Sequence, residues 1–338
     1  MKTRMRDAVM PVVVATMMIG VVSAEAQTTP PAPPAPVATP RPSRPSRAPR
    51  AWLGGNDQGV ARIDTVVPFS SNGTVDLSLI AGTMKLSTWD RNQVRVVAST
   101  TGQPSLQFDA SNSHVSLEQA SSSRRSRNGD DVGRATYEVT VPVGSHATLS
   151  AVSGSIDASG VRGPVEVSNV SGSVDVRDVG SSLSVEGVSG SITARNIGND
   201  ARVENVSGRI SVAGVGGTAS VETVSGSITI GGVRGDRVHA TSVSGNIDFA
   251  GPVNGSGRYE FETHSGRTDL KLASNVNAAI SVETFNGSVS NDYPGVTRRR
   301  NSDPDDDRTN FDYVIGRGEG RVRVQTFSGS VHISQGTP

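Results

Sequence analysis

The sequence predicts an all-β fold, a flattened parallel β-solenoid with about 18 residues and two short strands per turn. The first observation is a repeat: Val-Ser-Gly-Ser-Ile at 152–156 recurs with small changes at 170, 188, 206, 224 and 243. The second is the set of apolar residues at positions 1, 5, 7, 10, 14 and 16 of each unit, which partly alternates as strands do. The third is the absence of aromatic residues between 150 and 248, which suits a thin core of Val, Ile and Ala.

The first 26 residues are predicted to be a secretory signal peptide. Lys2 and Arg4 precede an apolar run of 15 residues, and Ala24 and Ala26 occupy the minus-three and minus-one positions of a cleavage site. A retained membrane anchor is the alternative, but the run contains Pro11 and is shorter than the roughly 20 residues of a membrane span. We therefore expect export to the periplasm, the cell surface or the medium, with no transmembrane segment after cleavage.

Residues 27–61 are predicted to be a disordered linker rich in Pro and Arg. Because this composition cannot bury a core, it favours extended polyproline II. A solvated tether is the simple interpretation, and an arm that touches anionic envelope polymers is the alternative. The stretch 28–50 holds nine of the 18 prolines, no acidic residue and four arginines, namely Arg41, Arg44, Arg47 and Arg50.

Residues 62–150 are predicted to be a strand-rich N-terminal part that leads into the solenoid and covers its first edge. Alternating runs at 74–79, 84–86, 94–96 and 137–141 indicate the strands.

Residues 151–290 contain the regular repeats. We expect the six apolar positions of each turn to point inward, with the valine at position 1 at a corner of the core. Gly at position 3 supplies the backbone freedom that a tight corner needs. Phe285 and Phe327 occupy position 1 of looser copies, so we expect both rings to pack in the core.

Residues 291–319 are predicted to be a charged loop insertion, and 320–338 the final solenoid turn and C-terminus. Aromatic residues flank the insertion and basic residues lie within it, so they are candidates for partner binding. Capping the open end of the stack is the alternative role for the aromatics. The candidate residues are Tyr293, Arg298, Arg299, Arg300, Phe311 and Tyr313.

The order of segments resembles a known family. A run from Val75 to Val96 is followed by Tyr137-Glu-Val-Thr-Val-Pro-Val-Gly144 and then by the Ser-Gly-Ser units. This order resembles the bacterial putative-adhesin family of β-strand-repeat proteins, a domain of unknown function common in exported and envelope proteins. The resemblance covers residues 62–334 and implies a β-solenoid in an envelope setting, with no catalytic or binding residues to transfer. The insertion rich in Arg and Asp departs from the family pattern.

The residues favour no enzyme, cofactor or metal site. Zero cysteines exclude thiolate chemistry, and 32 basic against 32 acidic residues argue against a nucleic-acid binder. The five histidines are scattered, and the serines recur with the turn instead of occurring once as a nucleophile would. Asp303, Asp305 and Asp307 alternate as in a calcium loop, but Arg308 stands where the turn glycine belongs and Val314 where the closing Glu belongs.

Two functional interpretations remain, with a less favoured third. The first is a non-catalytic envelope protein whose rigid solenoid presents a binding surface to an envelope glycan or protein. The second is a structural or envelope-stress accessory protein that has no dedicated ligand. The third, a solenoid polysaccharide-active enzyme, would need paired carboxylates and a sugar-binding cleft.

Overall fold

The computed structural model describes residues 62–101, 105–120, 133–301 and 309–336. The predicted signal peptide, the linker and the Asp-rich run at 303–307 lie outside these residues. Regular structure in the described residues is entirely β-strand, which confirms the predicted all-β class, and these residues include no helix suited to crossing a membrane. The strands are β1 Arg62–Pro68, β2 Thr74–Trp89, β3 Gln93–Thr100, β4 Ser105–Ala110, β5 His114–Ala120, β6 Ala135–Pro142, β7 His146–Ser159, β8 Val165–Val179, β9 Leu183–Ile197, β10 Ala201–Ser207, β11 Ile210–Val215, β12 Ala219–Ser225, β13 Ile228–Gly231, β14 Arg237–Ser244, β15 Ile247–Gly251, β16 Arg258–Leu272, β17 Ala278–Thr284, β18 Ser288–Asn291, β19 Thr297–Asn301, β20 Thr309–Ile315 and β21 Gly320–Gln335.

Strands β7 to β9 show how successive repeats pair. They are parallel and in register, with an offset of 18 residues, so that Leu149 lies beside Val167 and Val167 beside Val185. Each of these strands continues through the Ser-Gly corner. In the following turns, the corner separates two shorter strands. Strands β10, β12 and β14 continue the half before the corner, and β11, β13 and β15 continue the half after it. Equivalent residues therefore form columns with a spacing of about 4.8 Å.

The core consists of five of the six apolar positions. In the turn that begins at residue 188, these positions are at most 3% exposed, and the corresponding columns are buried in the neighbouring turns. Full burial of a Val or Ile side chain contributes roughly 1.5–3 kcal/mol, so many short aliphatic residues can replace a core of large aromatics. The five residues are Ile192, Ala194, Ile197, Ala201 and Val203.

The prediction that position 1 points inward is wrong. The valines at this position are 48–51% exposed, and Phe285 and Phe327, which were expected to pack in the core, are each 48% exposed. Strand alternation explains the difference: Val165 and Val167 point inward, Asn169 is the next buried residue, and Val170 therefore points outward. The chain turns only after position 1. The exposed valines are Val152, Val170, Val188, Val206, Val224 and Val243.

The N-terminal part adds turns and then antiparallel strands. One side of β2 pairs with β7, and its other side pairs in parallel with β5 and β6. Strand β4 then pairs antiparallel with β5, β3 pairs antiparallel with β6, and β1 pairs antiparallel with β3. Strands β3 and β4 therefore run against the direction of the repeats, whereas the outermost strand β1 runs with it.

At the C-terminal end, the order in space differs from the order along the chain. Strand β21 pairs in parallel with β16 on one side and with β17 and β18 on the other, so the last strand lies between two earlier turns. The outer edge of β17 pairs antiparallel with β20, and β20 pairs antiparallel with β19. The segment predicted as a loop insertion thus contains two strands that extend this end of the sheet.

Candidate interaction surface

An exposed apolar column runs along the Ser-Gly corner of the stack. Its members occupy position 1 of successive turns, and parallel in-register pairing places them one above another. Apart from Val66, it holds every large apolar side chain that is strongly exposed in the described part of the chain. We call this column the apolar ladder; in spatial order it consists of Val152, Val170, Val188, Val206, Val224, Val243, His264, Phe327 and Phe285.

A column of glycines next to the apolar ladder turns the chain. Gly172, Gly190, Gly208, Gly226 and Gly266 have φ between 125° and 150°, which side chains of L-residues rarely adopt. A Cβ at any of them would lie 1.8–2.1 Å from the carbonyl oxygen of the glycine in the preceding turn. The turns can therefore stack this closely only if the corner has no side chain, and the close stacking keeps the ladder continuous.

The ladder ends in a stack of rings. The ring of Phe327 lies between His264 and Phe285, with centroid distances of 4.8 Å and 4.9 Å and interplanar angles of 8° and 5°. The register of the parallel strands forces this face-to-face arrangement, since equivalent residues stand directly above one another. One end of the ladder is thus aromatic, whereas the rest is aliphatic.

A column of acidic residues borders the ladder on the β10, β12 and β14 side, at position 17. Glu204 contacts Arg202, and Arg323 donates to Glu283 at 2.8 Å. The other three glutamates form no ion pair within the described residues. We call this the acidic column; in spatial order it contains Glu186, Glu204, Glu222, Glu262 and Glu283, with Thr241 and Gln325 at the intervening positions.

The other flank of the ladder is mostly uncharged. Serine occupies position 2 of each regular turn, as in Ser189 and Ser207, and these side chains are exposed. The basic residues nearest to this flank are Arg209 and Arg267, at position 4, and Arg267 pairs with Asp269 at 2.9 Å. The ladder is therefore apolar along its length, acidic on one side and polar on the other.

The residues predicted as candidates for partner binding lie at the C-terminal end of the stack. Tyr293 and Tyr313 are 7% and 4% exposed, and the Tyr293 hydroxyl donates to the Ala273 carbonyl at 2.8 Å. The rings of Phe311 and Tyr313 stack at 6.5 Å. The backbone pairs Arg298 with Tyr313, Arg299 with Asp312 and Arg300 with Phe311, so one strand pair brings five of the six candidates together. Their role in binding stays a prediction.

Sequence reasoning missed the apolar ladder, although the sequence contained a signal for it. Counting outward from the buried Val165 and Val167 with a period of two places Asn169 inside and Val170 outside. The misinterpretation came from treating every apolar residue of the repeat as a core residue.

The described residues offer little that could catalyse a reaction. They contain no group of three or more His, Asp or Glu side chains able to hold a metal ion. Asp248 and Asp269 lie side by side on neighbouring strands. Burial, followed by the charge of Asp269, raises the pKa of Asp248. Burial also raises the pKa of Tyr137, whose hydroxyl donates to the Ser78 carbonyl at 3.2 Å. That tyrosine is a satisfied core residue.

Comparison with known proteins gives one family and two distant structures. A family model described as Toastrack DUF4097 matches residues 74–334. No curated protein matches the chain. A crystal structure of a "putative cell adhesion protein" from Clostridium sporogenes ATCC 15579 aligns at 10% identity over 81% of this chain and 100% of that chain, with a TM-score of 0.25. A "putative adhesin" from Bacteroides fragilis NCTC 9343 aligns at 10% identity over 81% and 97%, with a TM-score of 0.38.

Proposed function

Because the chain belongs to the Toastrack DUF4097 family, we propose that it is an exported, non-catalytic cell-envelope protein that uses the apolar ladder to bind a partner. In this proposal the stacked turns form a flattened β-solenoid, and their function is to hold the ladder straight and rigid. The partner is an envelope protein or glycan, or a segment tethered to one. The signal peptide predicted for residues 1–26 supports export, and the acidic and polar flanks support recognition in an aqueous setting.

The exposure of the ladder is the observation that carries the proposal. Single exposed apolar residues are ordinary on protein surfaces, but a contiguous row of them is typical of an interaction site. From Val152 to Phe285 the ladder spans eight intervals of about 4.8 Å, or roughly 38 Å. A spacer with no ligand has no use for a continuous exposed apolar row, which polar side chains at position 1 would avoid.

Binding to envelope fractions tests the proposal. We expect the triple variant Val188→Ser, Val206→Ser, Val224→Ser to lose binding about tenfold or more, because each substitution removes apolar surface that a partner would cover. Val66→Ser is the matched control, since Val66 is 49% exposed but lies outside the ladder. Thermal melting monitored by circular dichroism would show that both variants fold.

The outcomes separate the two functional interpretations. Equal binding of the triple variant and the wild type would refute the ladder as the binding surface. A wild-type protein that binds no envelope fraction would favour the accessory protein without a dedicated ligand.

A further inference from the structure

We propose that a groove on the outer face of strands β16, β21, β17 and β20 binds an acidic polysaccharide, one whose sugars carry carboxylates. The groove begins at the acidic column and extends away from the apolar ladder, so it is a second surface and the inference does not depend on binding by the ladder. It goes beyond the proposed function by assigning a further site and the chemical class of its ligand.

The shape of the groove follows from two small side chains between larger ones. Strand β17 forms the floor, where Ala279 and Ser281 alternate outward between buried neighbours. In-register pairing places two arginines of β21 on one side of this floor, and an aliphatic and an acidic residue of β20 on the other. The groove encloses about 670 Å³, a volume typical of ligand sites. The flanking residues are Arg321 and Arg323 on β21, and Val314 and Asp312 on β20.

A row of stacked arginines leads into the groove. Arg237, Arg258 and Arg321 are exposed and pair in register on β14, β16 and β21, about 4.8 Å from one strand to the next. Like charges side by side on neighbouring strands oppose folding. Arg258 lies 4.0 Å from Glu260, whereas Arg237 and Arg321 form no ion pair with any residue that the structure describes. We call these three residues the arginine row; two of its cations are available to a ligand.

The arginine row favours a ligand with more than one carboxylate. A guanidinium group binds a carboxylate through two parallel hydrogen bonds, which is the strongest pairing that an exposed arginine offers. Arg237 and Arg321 are two strands apart, about 9.6 Å. One chain that carries repeated carboxylates can therefore occupy both guanidinium groups at once.

The rest of the groove favours a sugar over a nucleic acid. Glu260 and Asp312 also face it, and Glu283 lies at its edge, where Arg323 donates to it at 2.8 Å. Carboxylates accept hydrogen bonds from hydroxyl groups, which sugars carry in abundance, but they repel a continuous row of phosphates. Beside them, Ala279, Val314 and the Ser281 hydroxyl offer both apolar and polar contact to a sugar ring. Acidic polysaccharides combine the carboxylate and the hydroxyl groups that this set of side chains requires.

Calorimetric titration of the purified full chain with an oligomer of galacturonic acid tests the proposal. We expect saturable binding that weakens at least tenfold when the carboxylates of the oligomer are methyl-esterified, because the esters cannot pair with guanidinium groups. A single-stranded DNA oligomer of equal charge should also bind at least tenfold more weakly. Equal binding of the methyl ester, or tighter binding of the DNA, would overturn the proposal.

Two double variants separate the arginine row from general attraction to positive charge. Arg237→Gln, Arg321→Gln should weaken binding of the oligomer at least tenfold. Arg162→Gln, Arg209→Gln is the matched control, since both arginines are exposed and form no ion pair within the described residues. The control removes the same charge and should leave the affinity unchanged. Equal losses in the two double variants would overturn the assignment of the site.

A third variant tests the groove without changing its charge. Ser281→Leu fills the floor and should weaken binding of the oligomer at least tenfold, while melting monitored by circular dichroism shows that the variant folds. Wild-type affinity in this variant would overturn the groove as the site.

The ladder variant Val188→Ser, Val206→Ser, Val224→Ser distinguishes this proposal from the proposed function. It should bind the oligomer of galacturonic acid as the wild type does, even where it loses binding to envelope fractions. A loss of oligomer binding in the ladder variant would place the polysaccharide on the apolar ladder and overturn the separate site. Each proposal can therefore fail while the other succeeds.

Discussion

The two corners of each turn both change the direction of the chain, but they use different backbone conformations. The Ser-Gly corner uses glycine in every regular turn, with φ beyond 120° in Gly172, Gly190, Gly208 and Gly226. The opposite corner, at position 9, accepts Gly160, Asp178, Asn196, Gly214 and Gly232, with φ between 56° and 81°. This second region is the left-handed helical one, which Asn and Asp adopt at modest cost.

This comparison shows that the room available for a side chain, in addition to φ, determines which residue a corner position of the repeat accepts. At the Ser-Gly corner a Cβ would meet a backbone carbonyl at about 2 Å, whereas at Gly232 the nearest atom lies 3.6 Å away. The invariant glycine of the repeat therefore marks the corner where the backbones of successive turns are in contact. The following variants test this comparison.

The largest effect is expected at the tighter corner. Gly208→Ala should destabilise the protein by about 3 kcal/mol or more, because the new Cβ meets the Gly190 carbonyl and the backbone is held at a φ of +125°. The midpoint of denaturant unfolding measures the loss. A midpoint equal to that of the wild type would mean that the turns can separate locally at no cost.

A second test compares residues on either side of the same corner. Ile210 is fully buried and Val206 is 48% exposed. Ile210→Ala should cost about 2–5 kcal/mol, because it leaves a cavity. Val206→Ala should change the free energy of unfolding by less than about 0.5 kcal/mol. Equal losses in the two variants would contradict the outward direction of the ladder.

A third test concerns the strand that joins the two corners. Burial and the neighbouring Asp269 raise the pKa of Asp248, so the ionised carboxylate is less favourable in the folded state than in the unfolded state. The stability associated with this group is fully present below its ordinary pKa and is lost as the pH rises through the raised value. Asp248→Asn should therefore increase the melting temperature at pH 7 and have little effect near pH 3.

Asp175→Asn is the control for this pH test, because Asp175 occupies the same outward column beside Arg177 at 3.3 Å and Arg195 at 3.7 Å. It should lower the melting temperature slightly at pH 7. A gain in both variants would indicate a general effect of removing negative charge.

The smallest effect is expected at the wider corner. Gly232→Asn places a side chain where the φ is 61° and the nearest atom is 3.6 Å from the new Cβ. We expect the free energy of unfolding to change by less than about 0.5 kcal/mol. A loss as large as that of Gly208→Ala would remove the distinction between the corners.

The sequence was sufficient to predict what depends on local periodicity. The 18-residue offset, five of the six predicted inward columns and the family resemblance follow from patterns within single repeats and their order, and the structure and the family match confirm them. The direction of position 1 was wrong because an apolar residue at a corner was assumed to be buried. Strict alternation from Val167 through Asn169 would have placed Val170 outside.

The ends of the stack depend on pairings between distant segments, which local patterns do not specify. Residues 320–335 read as one more turn, and no feature within them indicates that they lie between β16 and β17. Similarly, Tyr313 and Phe311 were recognised as unusual, but their pairing with Arg298 and Arg300 arises from the antiparallel return of β20. The exposure of the apolar ladder can be predicted from strand alternation alone. The strand order at the two ends of the stack depends on pairings between distant segments, which only the three-dimensional structure shows.

The interleaved strand β21 has a consequence for the order in which the strands can pair. The turns from β7 to β16 each pair with a turn that precedes them along the chain, but β17 lies beside β21, which follows it and occupies the place next to β16. A chain cut short before residue 320 would leave the edges of both β16 and β17 unpaired, and unpaired strand edges recruit foreign strands. Strand β21 therefore completes the pairing of both neighbours, and shortened products should be prone to aggregation and proteolysis.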